Sequence, residues 1–535
     1  MPGMAHHHHK EEAVGAEKLG DVHFPVSCAA AQQQAFNRGI ALLHSFGYTN
    51  AEAQYRAIAK ADPTCAMAHW GIAMTQYHAL WSRPDAAELK TGAEEMAQAR
   101  ELAAAHPVTP REQEYIAALS DFYEQAPQDY IQGIDAYTAK MAKLHADFPN
   151  DIEGAAFYAL ALLADVAPND TSLAKEHRAL AVLLPLFKQY PEHPGLAHYI
   201  IHTCDTPSLA QDGLEAAKVY ARIAPSSPHA LHMPGHIFAR LGLWQEDIDS
   251  NLASVRASEM DDHMHIPGIA HQMHADEFLI YAYLQTGQDE KAHVLTTRMA
   301  PLGARMAAMP MMDDMKDDGA FFANELNVIY LMEMHDWKAL SNVQAQPNSP
   351  PEQSFEIPWG RGVAAGHLKN AAIADQAIVD YEKFEKAVKA TGDTYFVSIV
   401  LTQHDELLGW QAYAHGNTDA ALASMRAAAT QQDKLGQAEV DIPADEMVGD
   451  LLVLLGRKEE ALAAYKLALH YSPNRLNTLL DAGEMAEALG RKAEAASFYA
   501  QAAHNTSGSA TRRADVAHAV AFSKANPIDT KASMQ

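Results

Sequence analysis

The sequence predicts an all-α fold in which helical hairpins stack into a solenoid. From Ala30 onward the chain is rich in alanine, and its apolar residues recur at i, i+3 and i+4, the spacing of helices that bury one face. Small and aromatic residues also recur with a period of 34 residues, which is typical of stacked helical hairpins. Helix-start signals agree, because Thr109, Pro110 and Glu112 supply an N-cap, a first-position proline and a capping carboxylate.

Length, charge and hydropathy limit the classes of function. The chain has 535 residues, of which 48% are hydrophobic, so it can bury one large core or several. Its formal net charge of −28 argues against nucleic acid or an anionic membrane surface as a partner, because both are polyanions. A cationic or peptide ligand in a concave groove is the expected partner. No apolar run of about eighteen residues occurs, so we expect no membrane span.

The N-terminal 25 residues are polar and lack helical periodicity, which predicts a mobile tail over 1–25. The tract His6–His9 fits either a short affinity tag or a native Met/His-rich segment offering the ligands that copper favours. Cys28 precedes the first predicted helix and Cys65 begins the third, so the two could meet across one hairpin. They would pair in an oxidising compartment and stay reduced in the cytosol.

The 34-residue unit is clearest near the C-terminus. Residues 442–475 combine Gly449, Ala461, Tyr465 and Pro473 at its characteristic offsets. Small residues there let two helices cross closely, while an aromatic ring fills the gap between them. More divergent units are marked by Gly39, Ala51, Tyr55 and Pro63 in 32–65, Gly242 and Trp244 in 229–262, Tyr283, Gly287 and Ala292 in 273–306, Gly409, Gly416, Ala421 and Ala428 in 402–435, and Gly490, Ala495, Tyr499 and Ala502 in 476–509.

This pattern resembles the tetratricopeptide repeat. The resemblance implies roughly seven to ten hairpins stacked into a right-handed superhelix, whose first helices line a concave inner surface. We therefore expect a solenoid over 26–343 and further repeats over 360–524, followed by a short tail over 525–535. The stretch QAQPNSPPEQSFEIPW over 344–359 is the clearest non-helical insertion, and it predicts a loop between the two parts.

Histidine is concentrated between residues 198 and 274. Nine of the 29 histidines lie in these 77 residues, and they are His198, His202, His229, His232, His236, His263, His265, His271 and His274. His263 and His265 lie in an acidic segment with proline and glycine, which predicts loop positions. The other seven fall in helical sequence, and the repeat alignment places His236 and His274 on first helices. The function is therefore to be sought here.

Three histidine pairs have helical spacing. His198 and His202 are four residues apart and His271 and His274 are three apart, while His229, His232 and His236 follow one another at steps of three and four. Each pair would share one helix face, although Pro234 would kink the second helix or begin a new one. Paired imidazoles on one face can hold a metal ion. The predicted metal ligands are His198, His202, His232, His236, His271 and His274.

The ligand type suits several transition metals. Imidazoles bind copper, zinc, iron or nickel, and the methionine-rich stretch Arg305–Gly319 favours copper over zinc or iron because thioethers are soft ligands. An ion with an open coordination position could activate oxygen or water. Glu277 or Asp205 would then be a base or a hydrogen-bond partner of a ligand histidine. Whether the protein is an enzyme stays open at this point.

Two other interpretations compete with the metal site. A single helical histidine is more often a hydrogen-bonded core residue than a ligand. A tetratricopeptide solenoid also serves as a scaffold that binds a peptide or protein in its groove without catalysis. Against the scaffold, such grooves spread their polar contacts over successive repeats, whereas here the imidazoles are concentrated. A conventional hydrolase has no support, because GxSxG, HExxH and phosphate-binding glycine loops are absent from the sequence.

A longer resemblance covers the chain from about His23 through its middle. The segments HYIIHTCDTP, RIAPSSPHALHMPGHIFARLGLW and HADEFLIYAYLQTG are similar to a group of bacterial tetratricopeptide-repeat proteins of about this length with PHALHMPxHIF-type motifs. FPVSC, LLHSFGY and DPTCAMAHWGIAM are similar to the same group. The resemblance implies architecture and not chemistry. Many members carry export signals, which implies a periplasmic or exported location, with the cytoplasm as the alternative.

Overall fold

A computed structural model gives the fold of residues 17–80, 83–167, 170–263, 268–309, 318–347, 349–391, 394–436, 438 and 440–527. In this part of the chain all regular structure is helical. The N-terminal half contains α1 (Gln33–His44), α2 (Tyr48–Ala61), α3 (Ala66–Tyr77), α4 (Ala86–Ala105), α5 (Pro110–Gln125), α6 (Tyr130–Asp147), α7 (Ile152–Ala164), α8 (Ala174–Gln189), α9 (Pro194–Thr203), α10 (Ala210–Ile223), α11 (Pro228–His232), α12 (Pro234–Arg240) and α13 (Trp244–His263).

The C-terminal half continues with the same kind of element. It contains α14 (Ile269–Gln285), α15 (Asp289–Ala307), α16 (Asp318–Glu333), α17 (Trp337–Leu340), α18 (Glu356–His367), α19 (Ala371–Thr391), α20 (Thr394–Ala414), α21 (Thr418–Leu435), α22 (Ala444–Leu454), α23 (Lys458–Tyr471), α24 (Leu476–Ala488), α25 (Lys492–Asn505) and α26 (Ala514–Ala525). The predicted all-α class is confirmed.

The helices pack as hairpins in chain order. Each helix contacts the next, and first helices of neighbouring pairs also touch, as α1 touches α3 and α7 touches α9. Counting α11 and α12 as one interrupted helix, the described chain forms twelve hairpins followed by α26. The sequence indicated fewer, because the central units lack the small and aromatic residues that mark the repeat. The solenoid of helical hairpins is thus confirmed, with more units than expected.

The repeat residues meet as the 34-residue pattern requires. A Cβ atom on Gly449 would lie 2.4 Å from the ring of Tyr465, so the absence of a side chain lets α22 and α23 approach. Tyr55 is fully buried between Gly39 and Gly71, and Tyr499 lies in the same way against Gly483. Aromatic rings wedged against glycines therefore set the helix spacing at both ends of the chain.

Part of the predicted N-terminal tail is packed. Residues 1–16, including His6–His9, lie outside the described residues, but 17–25 pack against the helices, where the backbone N–H of Asp21 donates to the backbone oxygen of Glu192 at 2.9 Å. Phe24 is fully buried, with ring centroids 5.0 to 5.6 Å from Phe36, Trp70 and Tyr115. The polar composition of the segment hid this anchor. A disulfide joins Cys28 to Cys65 and ties the segment to the start of α3.

Two other predicted segment boundaries differ from those of the structure. The insertion expected over 344–359 ends at Phe355, because α18 begins at Glu356 and Trp359 is buried within it. Pro358 is tolerated there since the first turn of a helix needs no backbone donor. At the C-terminus α26 reaches Ala525, and 528–535 lie outside the described residues. None of the helices described is long and apolar enough to cross a membrane.

Two apolar cores divide the molecule. One runs from Leu19 to Phe238 and the other from Ala239 to Ala519. Contacts between distant hairpins close each half, because α1 packs against α9 and α14 packs against α24. The boundary between the cores falls in α12, at the centre of the histidine-rich stretch. A polar layer therefore lies where the two apolar cores meet.

Gly449→Ala should destabilise the C-terminal hairpins by about 1–3 kcal/mol, because the added methyl group overpacks against Tyr465. Urea or thermal unfolding monitored by circular dichroism measures the effect. In a Tyr465→Leu background the same substitution should cost less, since the ring is gone. An equal cost in both backgrounds would contradict the proposed role of the ring.

Replacing both Cys28 and Cys65 by serine should destabilise the N-terminal core. The two residues are 37 apart in sequence, and closing a loop of that size restricts the unfolded chain by about 3–4 kcal/mol. Melting curves of parent and double variant, each with and without dithiothreitol, measure the effect. Reductant should lower the melting temperature of the parent to that of the variant and leave the variant unchanged; a parent insensitive to complete reduction would refute the prediction.

Candidate metal centre

The predicted histidine pairs lie on three neighbouring first helices. His198 and His202 are on α9, His232 ends α11 and His236 lies on α12, and His271 and His274 lie near the start of α14. Contacts join α9 to α12 and α12 to α14. The stacking of three hairpins thus brings these separate stretches of sequence to the boundary between the two cores.

One set of three imidazoles, here the cavity-side group, consists of His232, His236 and His274. One ring nitrogen of each lies within 4.8 Å of one ring nitrogen of each of the others. The Nε2 atoms of His232 and His236 are 2.9 Å apart. Two nitrogens each bound at about 2.0–2.1 Å to one ion can lie up to about 4.2 Å apart. The separation is therefore within reach of a common metal ion.

Each ring of the cavity-side group is held through its Nδ1 atom. His236 donates to Asp205 Oδ2 at 2.8 Å, and His274 donates to Glu277 Oε2 at 2.8 Å. A carboxylate only accepts hydrogen bonds, so Nδ1 carries the proton in both rings. Hydrogen bonds that fix the tautomer and orientation of a ring in this way typically accompany histidines that bind metals.

His232 is fixed by the same logic through an amide. Its Nδ1 atom lies 2.6 Å from Asn251 Oδ1. The amide nitrogen of Asn251 donates to Asp247, both to the backbone oxygen at 3.0 Å and to Oδ1 at 2.6 Å. The amide oxygen therefore faces His232, which must donate its Nδ1 proton. The three Nε2 atoms of the group are left with lone pairs.

The second set, here the buried group, consists of His198, His202 and His229. Their ring nitrogens also lie within 4.8 Å of one another. His198 donates from Nδ1 to the backbone oxygen of His44 at 2.6 Å, and its Nε2 lies 3.0 Å from Nε2 of His229. His202 Nε2 is buried and has no hydrogen-bond partner in the described chain. Such a buried orphan acceptor or donor is costly unless a ligand satisfies it.

The two groups lie side by side. The ring centroids of His202 and His236 are 6.5 Å apart, and those of His229 and His232 are also 6.5 Å apart. One phenylalanine ring packs against each group. Phe46 contacts all three imidazoles of the buried group, and Phe278 contacts all three of the cavity-side group. Six imidazoles thus form two adjacent clusters with apolar walls.

Burial keeps five imidazoles of this region neutral, those of His198, His202, His229, His232 and His271. It lowers the pKa of His202 to about 3, with neighbouring His236 adding to the effect, and the pKa of His271 to about 4. The pKa values of His198, His229 and His232 are lowered well below the usual value, first by burial and then by neighbouring imidazoles. Neutral imidazole is the form that binds metals, so these five rings are in the ligating form at neutral pH.

Proline and glycine in the HMPGH sequence shape this centre. α11 ends at His232 and α12 begins at Pro234, while Met233 between them keeps helical backbone angles. The break that the sequence allowed therefore occurs without turning His232 and His236 away from each other. A Cβ atom on Gly235 would lie 2.7 Å from Asn251 Nδ2 and from Asp247 Oδ1. The glycine thus admits the side chains that hold His232.

A third cluster of histidines is a closed hydrogen-bond network. His44 and His193 donate from Nε2 to the two oxygens of Glu153, at 2.6 and 3.1 Å. The Nδ1 atoms accept from the Tyr199 hydroxyl and from the backbone of Leu196. Burial raises the pKa of Glu153, but the two imidazoles outweigh it and lower the pKa overall. Every ring nitrogen is used, so this cluster supports α9 rather than holding a metal.

The cavity-side group borders a cavity of about 440 Å³. His236 and His274 line it, together with Asp205, Glu277 and Phe278. The buried group does not border this cavity. Of the two clusters, the cavity-side group is therefore the one that a small molecule could approach.

The predicted ligands divide unevenly between the clusters. His198 and His202 lie in the buried group, and His232, His236 and His274 form the cavity-side group. His271 belongs to neither, although its ring centroid is 5.8 Å from that of His229. His229, which was not among the six predicted ligands, takes the third place in the buried group. Its position three residues before His232 was the available signal.

The remaining histidines and methionines of this stretch are described only in part. His265 and Met311, Met312 and Met315 fall outside the described residues. His263 was predicted to lie in a loop, and this was wrong, because it is the last residue of α13. Met306 is buried in the C-terminal core. Burial raises the pKa of the Cys204 thiol to about 12, so at neutral pH this residue offers no thiolate.

Comparisons with known proteins give only weak structural similarity. Models of known protein families give no match, and curated protein sequences give none either. Among solved structures, the human IFIT1 dimer with m7Gppp-AAAA is similar at 12% identity and a TM-score of 0.36, over 83% of this chain and 90% of that chain. The human IFIT1 dimer with PPP-AAAA gives 12% and 0.35, over 83% and 91%. Similarity at this level carries no argument about this protein.

The buried imidazoles should make stability depend on pH in a defined direction. Their pKa values lie below the unfolded value of about 6.5, so between about pH 6.5 and pH 4 the unfolded chain binds more protons and stability falls as pH falls. Buried acids such as Glu356, whose pKa burial raises to about 8, act in the opposite direction. We therefore compare metal-free parent with a His202→Gln, His271→Gln double variant, which removes only the histidine contribution.

Relative to that double variant, the parent should lose up to about 1.4 kcal/mol per pH unit for each of the two histidines as pH falls through this window. Urea unfolding at several pH values, in the presence of a chelator, measures the difference. Above about pH 7 the difference should be constant. A difference that stays constant down to pH 5 would show that these rings titrate normally in the folded protein.

Proposed function

We propose that this protein binds a pair of transition-metal ions, one in the buried group and one in the cavity-side group. The observation that carries the proposal is the facing pair of Nε2 atoms in the cavity-side group, 2.9 Å apart. With Nδ1 protonated, as argued for His232 and His236, the two Nε2 lone pairs face each other, and at this distance they repel unless a cation lies between them. In the buried group the support comes from His202 Nε2, which is buried and has no hydrogen-bond partner in the described chain.

Copper is the favoured metal, ahead of zinc or iron. Imidazole ligands suit all three, and for sites of this kind affinity is highest for copper among the divalent first-row ions. The methionine-rich stretch 305–319 adds soft ligands in the neighbouring sequence. Measured affinities for copper, zinc and iron would decide which metal the protein binds.

The cavity-side ion would be the reactive one. Three imidazoles would leave a transition-metal ion with an open coordination position, and two of these rings, His236 and His274, line the cavity. An ion held there would polarise a bound water or another small ligand. Glu277 and Asp205 hold the Nδ1 atoms of His274 and His236, which supports a positioning role for both carboxylates. We propose a metalloenzyme on this basis.

The proposed location is the periplasm or the cell exterior. The disulfide between Cys28 and Cys65 supports it, because disulfides persist in oxidising compartments and are rare in the cytosol. A cytoplasmic protein would keep both thiols reduced. The alternative function, a scaffold that binds a peptide or protein partner without catalysis, is compatible with the solenoid and requires no metal.

Elemental analysis tests the metal proposal. The chain is purified with His6–His9 replaced by serine, loaded with copper or zinc, and freed of loosely bound ions by gel filtration. We expect about two ions per chain in this parent, about one in His202→Ala or His236→Ala, and none in the double variant, because each substitution removes one of three ligands. His415→Ala, whose side chain is 50% exposed, is the control and should keep both ions.

Two outcomes would overturn the proposal. A parent that retains no metal after loading leaves the scaffold as the better function. Equal metal in the parent and in the His202→Ala, His236→Ala double variant would place the ions elsewhere in the chain. Circular dichroism of each variant ensures that lost metal reflects lost ligands and not unfolding.

A further inference from the structure

The cavity beside the cavity-side group has an unusual charge distribution. Its lining includes three carboxyl groups that come from well-separated parts of the chain, Glu325, Glu356 and Asp441. No ion pair is formed by any of the three in the described chain. The guanidinium group in the lining, that of Arg240, is bonded to Asp205 at 3.0 Å. If these three carboxyl groups ionise, they therefore have no ion-pair partner in the lining.

Hydrogen bonds satisfy these carboxylates only in part. Glu356 Oε1 accepts from Gln403 at 2.9 Å, and Asp441 accepts from Gln432 at 2.9 Å and from the backbone of Ile442 at 2.7 Å. Oε2 of Glu325 is buried without a hydrogen-bond partner in the described chain. Burying a carboxylate without a counter-charge is strongly unfavourable.

The pKa values of these three carboxyl groups are raised, as the cost of burying an ionised carboxylate requires. Burial raises the pKa of Glu356 to about 8 and that of Asp441 to about 7. It also raises the pKa of Glu325 well above its usual value, with Glu277, Glu356 and Asp441 adding to the effect. A bound cation would remove this cost, because it supplies the missing counter-charge.

The size and walls of the cavity point to an organic cation rather than a bare ion. A volume of about 440 Å³ lies in the range of small-molecule sites, which combine apolar walls with a few polar groups. Phe278, Ile329, Ile399 and Val440 supply the apolar part of the lining. A metal ion would need only a small part of this space, and it would gain nothing from the apolar walls.

We propose that this cavity binds a small organic amine, with its ammonium group among Glu325, Glu356 and Asp441 and its apolar body against Phe278 and Ile329. Because His236 and His274 line the same cavity, the amine would lie beside the cavity-side ion. That second statement rests on the proposed metal function, whereas binding of the amine does not.

Isothermal titration calorimetry on the metal-free full chain tests binding, with hexylamine, 1,6-diaminohexane and 1-hexanol as probes. The amines should bind at least about tenfold more tightly than the alcohol of equal length, because a charge-assisted hydrogen bond in a buried site is worth at least that factor. Glu356→Gln and Asp441→Asn should each weaken amine binding about tenfold. Glu94→Gln, on a side chain 69% exposed, should leave it unchanged.

Thermal melting separates a binding role from a structural one. Without amine, Glu356→Gln should melt at the same temperature as the parent or higher, since an unpaired buried acid is replaced by a neutral amide. Loss of amine affinity together with a large loss of stability would contradict the assignment. Saturating hexylamine should raise the melting temperature of the parent more than that of the variant.

The metal and amine proposals fail independently. His236→Ala, which should lose the cavity-side ion, should still bind hexylamine within about threefold of the parent. No saturable binding of either amine up to roughly 10 mM, or equal affinity for 1-hexanol, would overturn the amine site whatever the metal analysis gives. Binding of a lysine-containing peptide without binding of either free amine would overturn it too, in favour of the scaffold function.

Discussion

The constraint on which this structure depends is the burial of imidazoles between two apolar cores. Each ring has two nitrogen atoms, and a buried nitrogen without a hydrogen-bond or metal partner costs the free energy of its lost hydration. Asp205, Asn251 and Glu277 satisfy the Nδ1 atoms of the cavity-side group, and the backbone of His44 satisfies that of His198. The Nε2 atoms of His232 and His236 then face each other at 2.9 Å, and His202 Nε2 is buried with no hydrogen-bond partner in the described chain. The proposed metal function rests on this arrangement.

Support for the rings reaches well beyond the clusters. His198 depends on the position of the His44 backbone, and the side chain of His44 is fixed in turn by Glu153 and Tyr199. Gly195 leaves room for that imidazole, since a Cβ atom there would lie 2.5 Å from His44 Nδ1. The contact between α1 and α9 that closes the N-terminal half therefore also orients a candidate ligand.

The carboxyl groups of the cavity differ from Glu153 in the direction of their pKa shifts. Where Glu153 is paired with two imidazoles, its pKa is lowered. Where Glu356 and Asp441 form no ion pair, burial raises their pKa values. A core selected for stability alone would place apolar residues at such positions. These carboxyl groups without ion pairs are accounted for if an external cation completes them, and their position in the same cavity as His236 and His274 would place that cation beside the proposed metal site.

The sequence by itself determined the helical class, the repeat and the stretch in which the candidate site lies. Local spacing is enough for these, because helix periodicity, the Gly449 and Tyr465 pattern and the density of histidine are properties of neighbouring residues. It also indicated the disulfide partners and five of the six residues that the two clusters contain. Pro234 was recognised as a point where a helix could restart.

Only the tertiary structure decided how the histidines are grouped. His229 joins α9 histidines and His274 joins those of α11 and α12 because stacking of hairpins, and not spacing within one helix, sets which rings meet. The same holds for Phe24, buried by partners up to 91 residues away in sequence, and for Glu325, Glu356 and Asp441, which converge from three separate units. Contacts between distant segments depend on how many hairpins intervene and how they curve, and no local pattern encodes that.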